Sequence, residues 1–250
     1  MAPGPEDVEA IERATFDAVP PQARELLDGW LLGFDSGPVG RAHSAVPLRH
    51  DLVDGASVER VVAKYRSRGL PPVFRMPELP AFDGIREQLR SHGYSGGTPT
   101  RVCVAAVNGM PETVASMPVD LMAQPDESWG SVFLGDGVDP ADCARRVAIL
   151  GRAQHALFAC IRMDGRTVAS GMGSFSQGWA SVHGMRTLPG YRGRGMAGAI
   201  LQIIAKEAKS RGLGRAFLQV EAGNTGAQAL YSRFGFAPAW DYAYWYPGSA

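Results

Sequence analysis

Short matching segments recur along this chain at an almost constant distance, and this repetition restricts the fold more than any other feature. Ser-Arg-Gly-Leu occurs at 67–70 and again at 210–213, and an apolar, strand-like run follows each copy. Two further pairs lie 142 positions apart: Gly93 with Gly235, within LRSHGY and YSRFGF, and Pro47 with Pro189. Three matches in register favour an internal duplication. The alternative is two unrelated α/β segments that share helix-cap glycines.

Hydrophobic periodicity predicts the same order of elements in both halves. Each half contains one clear helical stripe, followed by a glycine, Gly69 or Gly212, suited to a helix C-cap. The stripes are Val58, Val61, Val62 and Tyr65 in the first half, and Met196, Ile200, Ile203 and Ile204 in the second. Each half therefore reads as strands, helix, strand, helix and strand. We predict an α/β fold, of the α+β type with mixed sheets. It should consist of two tandem domains, each a twisted mixed sheet flanked by helices. The polar segment 122–130 places the boundary between 1–124 and 125–250.

The second half has sharper local signals. Asp164-Gly165 separates two apolar runs and predicts a hairpin turn. A strand over 181–189, a helix from about Met196 and a strand over Arg215–Glu221 should follow. AQALYSRF reads as a short helix, and WDYAYWY as a returning strand.

Composition limits the partners and the compartment. Twenty-five basic and 25 acidic residues give no net charge, so nothing draws the chain towards nucleic acid or an anionic membrane. The acidic start lacks the apolar core of a signal peptide, and no run of about 18 apolar residues predicts a membrane span. Cys103, Cys143 and Cys160 are widely spaced and predict buried thiols in a reducing compartment rather than disulfides or a metal site. We expect a cytoplasmic protein, monomeric or homodimeric, with no metal.

The segment RGRGMAG, residues 192–198, contains the G-x-G-x-x-G spacing of a dinucleotide-binding loop. Glu221, 23 positions after Gly198, stands near where a ribose-binding acid would lie. Three features oppose this interpretation. Pro189-Gly190-Tyr191 separate the preceding strand from the first glycine, three strands precede the loop, and Arg192 and Arg194 flank Gly193. Two arginines at a helix N-terminus suit a ligand with more phosphate charge.

Arg192-x-x-Gly195-x-Ala197 instead resembles the acyl-CoA pyrophosphate motif of the GNAT N-acetyltransferases, Q/R-x-x-G-x-G/A. Thr187-x-Pro189 precedes it as the strand end does in that family. The run from Asn224 to Phe236 resembles the family's N-x-x-A-x-x-L-Y-x-x-x-G-F signature. The likeness covers about 132–246. More faintly, DGWLLGF (28–34) and GRAHSAVPL (40–48) are similar to the degenerate first repeat of tandem GNAT proteins. That half has LRHDLVD (48–54) where the loop would be, with no glycine and two aspartates, so we expect no cofactor there.

The resemblance implies an N-acetyltransferase that transfers an acetyl group from acetyl-CoA to a primary amine of a small molecule or peptide through a ternary complex. It implies that the backbone of Met185, Arg186 and Thr187 aligns the pantetheine arm and offers an N–H to the thioester carbonyl. The remaining cofactor-binding candidates are Arg192, Gly193, Arg194, Gly195, Met196, Ala197, Asn224 and Tyr231. Asn224 has the alternative role of capping the next helix.

Transfer needs a proton acceptor for the amine and a proton donor for the thiolate. Tyr231 matches the family tyrosine beside the thioester sulfur and is the general-acid candidate; the alternative is a core aromatic. His183 and Glu221 are the candidate bases. The alternatives are that His183 is a structural histidine of a strand and that Glu221 is an exposed carboxylate without a catalytic role. The acceptor is not indicated, although Trp30, Trp179, Trp240, Tyr244 and Trp245 could line a cleft. A different class remains open, a non-catalytic acyl-CoA-binding sensor or scaffold.

Overall fold

The computed structural model describes residues 3–51, 55–111, 117–134 and 139–248. Its helices are α1 Pro5–Ala18, α2 Ser57–Arg66, α3 Asp83–Ser91, α4 Glu127–Gly130, α5 Pro140–Gly151, α6 Met196–Ser210 and α7 Thr225–Arg233. Its strands are β1 Ala23–Leu27, β2 Trp30–Phe34, β3 Ala45–Pro47, β4 Phe74–Pro77, β5 Tyr94–Gly96, β6 Thr100–Ala106, β7 Asp120–Met122, β8 Ala156–Met163, β9 Arg166–Ser176, β10 Trp179–Thr187, β11 Arg215–Glu221 and β12 Ala237–Pro247.

All the strands in the described part of the chain join one mixed sheet. The order is β1-β2-β3-β4-β12-β6-β11-β10-β9-β8-β7, and β5 pairs with β12 away from this path. The pairs β3–β4 and β10–β11 are parallel, and the other pairs are antiparallel. The predicted mixed sheet flanked by helices is confirmed.

The centre of the sheet is built by an exchange of strands between the two halves of the sequence. Strand β6 pairs with β11 over its whole length, from Thr100 with Glu221 to Ala106 with Arg215. Strand β12 pairs with β4 on one side and with β6 on the other. Each half thus completes the sheet of the other, and strand pairing crosses the boundary expected at 124.

The helices cover the sheet with separate apolar clusters. Ile200 and Ile204 of α6 are buried against residues of β8 to β11, whereas Ile203 is only half-buried. Val58, Val61 and Tyr65 of α2 pack with β2, β4 and Trp245 of β12. The second cluster therefore includes a residue from the last strand of the chain, which ties the halves together.

The two matching glycines end their helices in the same way. Gly69 and Gly212 have φ of +66° and +72°, a backbone region that favours glycine. The amides that follow them donate to Tyr65 O and Ala208 O, at 3.1 and 2.9 Å. The hairpin at Asp164-Gly165 and the predicted order of β10, α6, β11, α7 and β12 are confirmed.

A buried ion pair joins α1 to the middle of the sheet. Arg75 of β4 lies 2.5 Å from Glu12 of α1, and both side chains are almost inaccessible to solvent. The Arg75 guanidinium also lies 5.2 Å from the ring centroid of Tyr242 in β12. An ion removed from water is stabilised only by its partners, so this pair holds three elements in register.

We predict that Arg75→Met lowers the free energy of unfolding by about 3–5 kcal/mol, because Glu12 is left as an uncompensated buried charge. Urea denaturation measures the loss. The double variant Glu12→Met/Arg75→Met should recover much of it, since neither charge remains. Arg145→Met is the control, because it breaks only an exposed pair with Asp142 and should change stability little. A loss for Arg75→Met no larger than that of the control would contradict this account.

Candidate active site

The parallel strands β10 and β11 separate midway along their length. They pair only from Ala180–Ala216 to Val182–Leu218, and the register of β10 against β9 shifts between His183 and Arg186. Gly184 has φ of +59° inside this irregularity. The separation opens a cleft of about 790 Å³, large enough for a small ligand.

The predicted glycine loop leads into α6 beside this cleft. Gly193 and Gly195 have φ of +76° and +81°, and Gly195 is the N-cap residue of α6 without a side-chain cap. The first-turn amides of a helix have no intrahelical acceptor, and the helix dipole places partial positive charge there. The loop is exposed, so these groups form an anion-binding surface.

Side chains flanking the loop leave that surface open. Arg192 Nε donates to Thr187 O at 3.2 Å, and Arg194 Nη2 donates to Gly190 O at 3.2 Å. Arg194 also lies 5.2 Å from the ring centroid of Tyr191. Both arginines are exposed, whereas Met196 is buried and Ala197 half-buried. Two exposed cations are thus available to a phosphate at the N-terminus of α6.

Six of the residues predicted from the sequence lie around the one cleft. They are His183, Met185, Arg186, Glu221, Asn224 and Tyr231. The others, Thr187, Arg192, Gly193, Arg194, Gly195, Met196 and Ala197, follow along the end of β10, the loop and the start of α6. The loop therefore follows along the chain from the part of β10 that lines the cleft.

Tyr231 of α7 is buried at the edge of the cleft. Its ring meets Phe236 edge-on at 6.1 Å. Burial, with a smaller contribution from Cys103, raises the pKa of the Tyr231 phenol to about 12. The phenol is therefore protonated at neutral pH and available as a hydrogen-bond or proton donor.

His183 of β10 is buried, and neither ring nitrogen has a hydrogen-bond partner among the described residues. Burial, followed by the positive charge of Arg41, holds the pKa of His183 well below its ordinary value of 6.5. The imidazole is thus neutral at pH 7. A buried polar group without a partner costs stability unless a ligand or water pairs with it.

The end of β11 supplies Glu221 and Asn224. Glu221 is exposed, and its carbonyl accepts from the Asn224 amide at 3.0 Å. The Asn224 side chain accepts from the Ala227 amide at 3.1 Å and caps α7. The capping alternative for Asn224 is therefore observed, and Asn224 lines the cleft as well.

The sequence reasoning missed the wall contributed by the first half. Pro38 to Arg41, together with Tyr242 and Tyr244 of β12, line the cleft. A Cβ atom on Gly40 would lie 2.8 Å from the Tyr244 ring, so glycine is needed for this close approach. Trp30, Trp179, Trp240 and Trp245 are buried, and of the five proposed aromatics Tyr244 alone is a lining residue.

Gln219 of β11 connects this wall to the sheet. Its Oε1 accepts from Tyr242 Oη at 2.9 Å and from Arg41 Nη1 at 3.2 Å. Its Nε2 donates to Thr15 Oγ1 of α1 at 3.0 Å. The amide is therefore held from three directions, and it fixes Arg41 beside β11. In the sequence, Arg41 belongs to GRAHSAVPL. That segment shows a likeness to a family repeat, and nothing in it indicates a charged residue in the cleft.

The fold and the cleft define the GNAT class of acetyltransferases. Residues 6–245 match the family model described as "Probable histone acetyltransferase Rv0428c C-terminal", and the chain belongs to that family. It is similar over 96% of its length to 98% of the "Uncharacterized N-acetyltransferase YobR" of Bacillus subtilis strain 168, at 24% identity.

Two solved structures share the fold over most of the chain. A GCN5-related N-acetyltransferase from Kribbella flavida has a TM-score of 0.70 at 18% identity, covering 97% of this chain and 96% of that one. A tandem GNAT protein from the clavulanic acid biosynthesis pathway has a TM-score of 0.58 at 13% identity, covering 96% and 86%. Together with the family match over residues 6–245, this shared fold confirms the resemblance to the GNAT superfamily.

The residues that the structure describes contain neither a metal-binding cluster nor a membrane-spanning helix. No group of three or more His, Cys, Asp or Glu side chains there is placed to hold a metal ion. No helix of that part of the chain is long and apolar enough to cross a membrane.

Acid should destabilise the protein through its buried histidines. The folded-state pKa of His183 lies below 6.5, and burial likewise lowers the pKa of His43 and takes that of His50 to about 4. Below about pH 6.5 the unfolded chain therefore binds more protons, and stability falls as pH falls. We predict that His183→Gln reduces the slope between pH 6.5 and 5 by up to about 1.4 kcal/mol per pH unit. Urea denaturation across this range measures it. His155→Gln, an exposed control, should keep the wild-type slope, and an unchanged slope in His183→Gln would contradict the assignment.

Proposed function

We propose that the protein transfers an acetyl group from acetyl-CoA directly to a primary amine bound in the same cleft. The observation that carries this proposal is the uncapped, glycine-flanked N-terminus of α6 beside the separated ends of β10 and β11. A pyrophosphate suits the free amides and the two exposed arginines. An extended acyl-pantetheine chain suits the opening between two strands, where backbone groups of β10 are free to pair with its amides.

The chain's own residues supply orientation and proton transfer. Backbone of Met185 to Thr187 would align the thioester, and its N–H groups would stabilise charge that develops on the carbonyl oxygen. The amine attacks that carbonyl, so that a C–N bond forms and the C–S bond breaks. Tyr231, protonated at neutral pH, hydrogen-bonds the departing thiolate and gives it a proton, and the phenolate, whose conjugate acid has a pKa raised to about 12, is at once reprotonated from solvent.

The proton lost by the amine requires a base. Neither ring nitrogen of neutral His183 has a hydrogen-bond partner among the described residues, so its unprotonated nitrogen can accept a hydrogen bond from the amine and orient it. The lowered pKa of His183 weakens it as a proton acceptor. Glu221, an exposed carboxylate on the cleft wall, is positioned to carry the proton to solvent through water. We therefore assign orientation to His183 and proton removal to Glu221.

Gly195→Asp tests the coenzyme site. The substitution places a side chain at a backbone position with φ of +81° and adds a negative charge where the pyrophosphate would lie, so CoA binding should be abolished. Wild-type protein should bind one CoA per chain in calorimetry. Gly165→Asp is the matched control, because it introduces the same charge at a φ of +73° in the β8–β9 turn; it should bind CoA normally. Unchanged affinity in Gly195→Asp would refute the site.

Tyr231→Phe tests the chemistry separately from binding. The ring and its packing remain, and only the hydroxyl is lost. Turnover should fall by about 10²–10⁴-fold, while CoA affinity and melting temperature stay near wild type. Thiol release at saturating acetyl-CoA with an amine panel measures turnover. Tyr94→Phe, which removes the hydroxyl of a buried tyrosine in the first half, should leave the rate unchanged. Near-normal turnover in Tyr231→Phe would remove this residue from the mechanism.

A further inference from the structure

Three arginines from separate parts of the chain line the cleft. Arg41 follows β2 in the first half, Arg146 lies on α5, and Arg186 is on β10. None of the three forms an ion pair among the described residues. The loop at 192–197 is not part of the cleft lining and has its own two arginines for the coenzyme phosphates.

Arg41 is positioned by neutral groups only. One terminal nitrogen donates to Gln219 Oε1 at 3.2 Å, and Gln219 is held in turn by Thr15 and Tyr242. The Arg41 Nε is buried and has no hydrogen-bond partner in the described part of the chain. A buried cationic donor without an acceptor is costly, and an oxyanion in the cleft would pair with it.

Arg146 is half-buried beside like charges. Its guanidinium lies 5.8 Å from the ring centroid of Phe133. Burial, and then the charges of Arg41 and Arg186, lower the pKa of Arg146. Crowded guanidinium groups repel one another, and a bound anion relieves that repulsion.

No acidic residue of the described lining forms an ion pair with these arginines, and the charge of Asp142 raises the pKa of Arg146 by less than burial, Arg41 and Arg186 lower it. Asp139 caps α5 by accepting from the Ala141 amide at 2.9 Å, and Asp142 pairs with Arg145 at 2.5 Å. The remaining acid, Glu221, lies two residues beyond Gln219 on the same face of β11. The cleft thus combines a cationic wall with one carboxylate at the strand end.

From this arrangement we infer that the acceptor is an amine that also carries an oxyanion, a carboxylate or a phosphate, bound by Arg41 and Arg146. Its amino group lies towards Glu221 and the thioester. This inference rests on the proposed acetyl transfer and names its substrate class. Guanidinium forks bind carboxylate and phosphate oxygens in pairs, whereas polycations such as lysine-rich peptides would meet repulsion.

Binding of matched adducts tests the inference without knowledge of the natural acceptor. In these probes the CoA sulfur is joined through a CH2–CO–NH link to a short alkyl spacer of varied length. The spacer ends in a carboxylate, a phosphonate, a neutral amide or an ammonium group. Calorimetry should show an oxyanion adduct binding at least about ten-fold more tightly than the neutral amide adduct of the same length. The carboxylate and phosphonate arms distinguish the two kinds of oxyanion.

Arginine variants test which residues cause the preference for oxyanion adducts. Arg41→Gln and Arg146→Gln should each remove most of it while CoA itself binds as in wild type. Arg211→Gln, at an exposed arginine that pairs with Glu207 on α6 and does not line the cleft, should retain it. Arg41→Lys keeps the positive charge but loses the two-pronged guanidinium, so it should give an intermediate preference for the oxyanion adducts. This conservative variant keeps the test valid if Arg41→Gln fails to fold.

The outcomes separate this inference from the proposed function. Equal binding of oxyanion and neutral adducts at every spacer length, or tightest binding of the ammonium adduct, would overturn the inference and leave CoA binding intact. A preference that survives in both Arg41→Gln and Arg146→Gln would also overturn it. Failure of wild-type protein to bind CoA would instead remove the proposed acetyl transfer.

Discussion

The structure depends on the pairing of β6 with β11 and β12. Strand β6 belongs to the first half of the sequence, yet it supplies the neighbour that β11 needs along seven residue pairs. Without β6, both β11 and β12 would expose a row of unpaired backbone groups, which is unfavourable at a sheet centre. The exchange fixes β11, and β11 carries both Gln219 and Glu221. The geometry of the cleft is therefore set by a contact between the two halves.

The same exchange explains why the cleft has walls from both halves. Strand β12 passes from β6 to β4 and brings Tyr242 to Gln219, where Arg41 also binds. Helix α1 reaches the same amide through Thr15 and reaches β4 through the buried Glu12–Arg75 pair. Neutral hydrogen bonds thus hold the Gln219 amide that accepts from Arg41 at the wall. A preformed cationic wall binds an anion without the entropic cost of ordering a long side chain.

Local patterns in the sequence were sufficient for most elements. The Asp164-Gly165 hairpin, the glycine C-caps and the α6 stripe depend on residues a few positions apart, and the observed elements match them. The strand exchange was not predictable in this way, because period-two alternation in β6 identifies a strand but not its neighbour. Arg41 was missed for the same reason. Its partner Gln219 is 178 positions away, and only the exchanged sheet brings the two together.

In the first half, the segment that follows the strand β3 contributes side chains to packing instead of forming an open loop. Strands β3 and β4 are parallel, as β10 and β11 are, but after Pro47 the Leu48 side chain is buried and His50 is half-buried. The His50 ring meets Phe82 and Trp240 edge-on at 5.7 and 5.0 Å, and burial keeps this imidazole neutral by lowering its pKa to about 4. Asp51 pairs with Arg49 at 2.7 Å, while Asp54 of LRHDLVD lies outside the described residues. Trp240 belongs to β12, so this aromatic contact anchors the strand that delivers Tyr242 and Tyr244 to the cleft. The two halves thus differ: the second has an open, glycine-flanked strand separation, and the first has aromatic packing that holds the other wall in place.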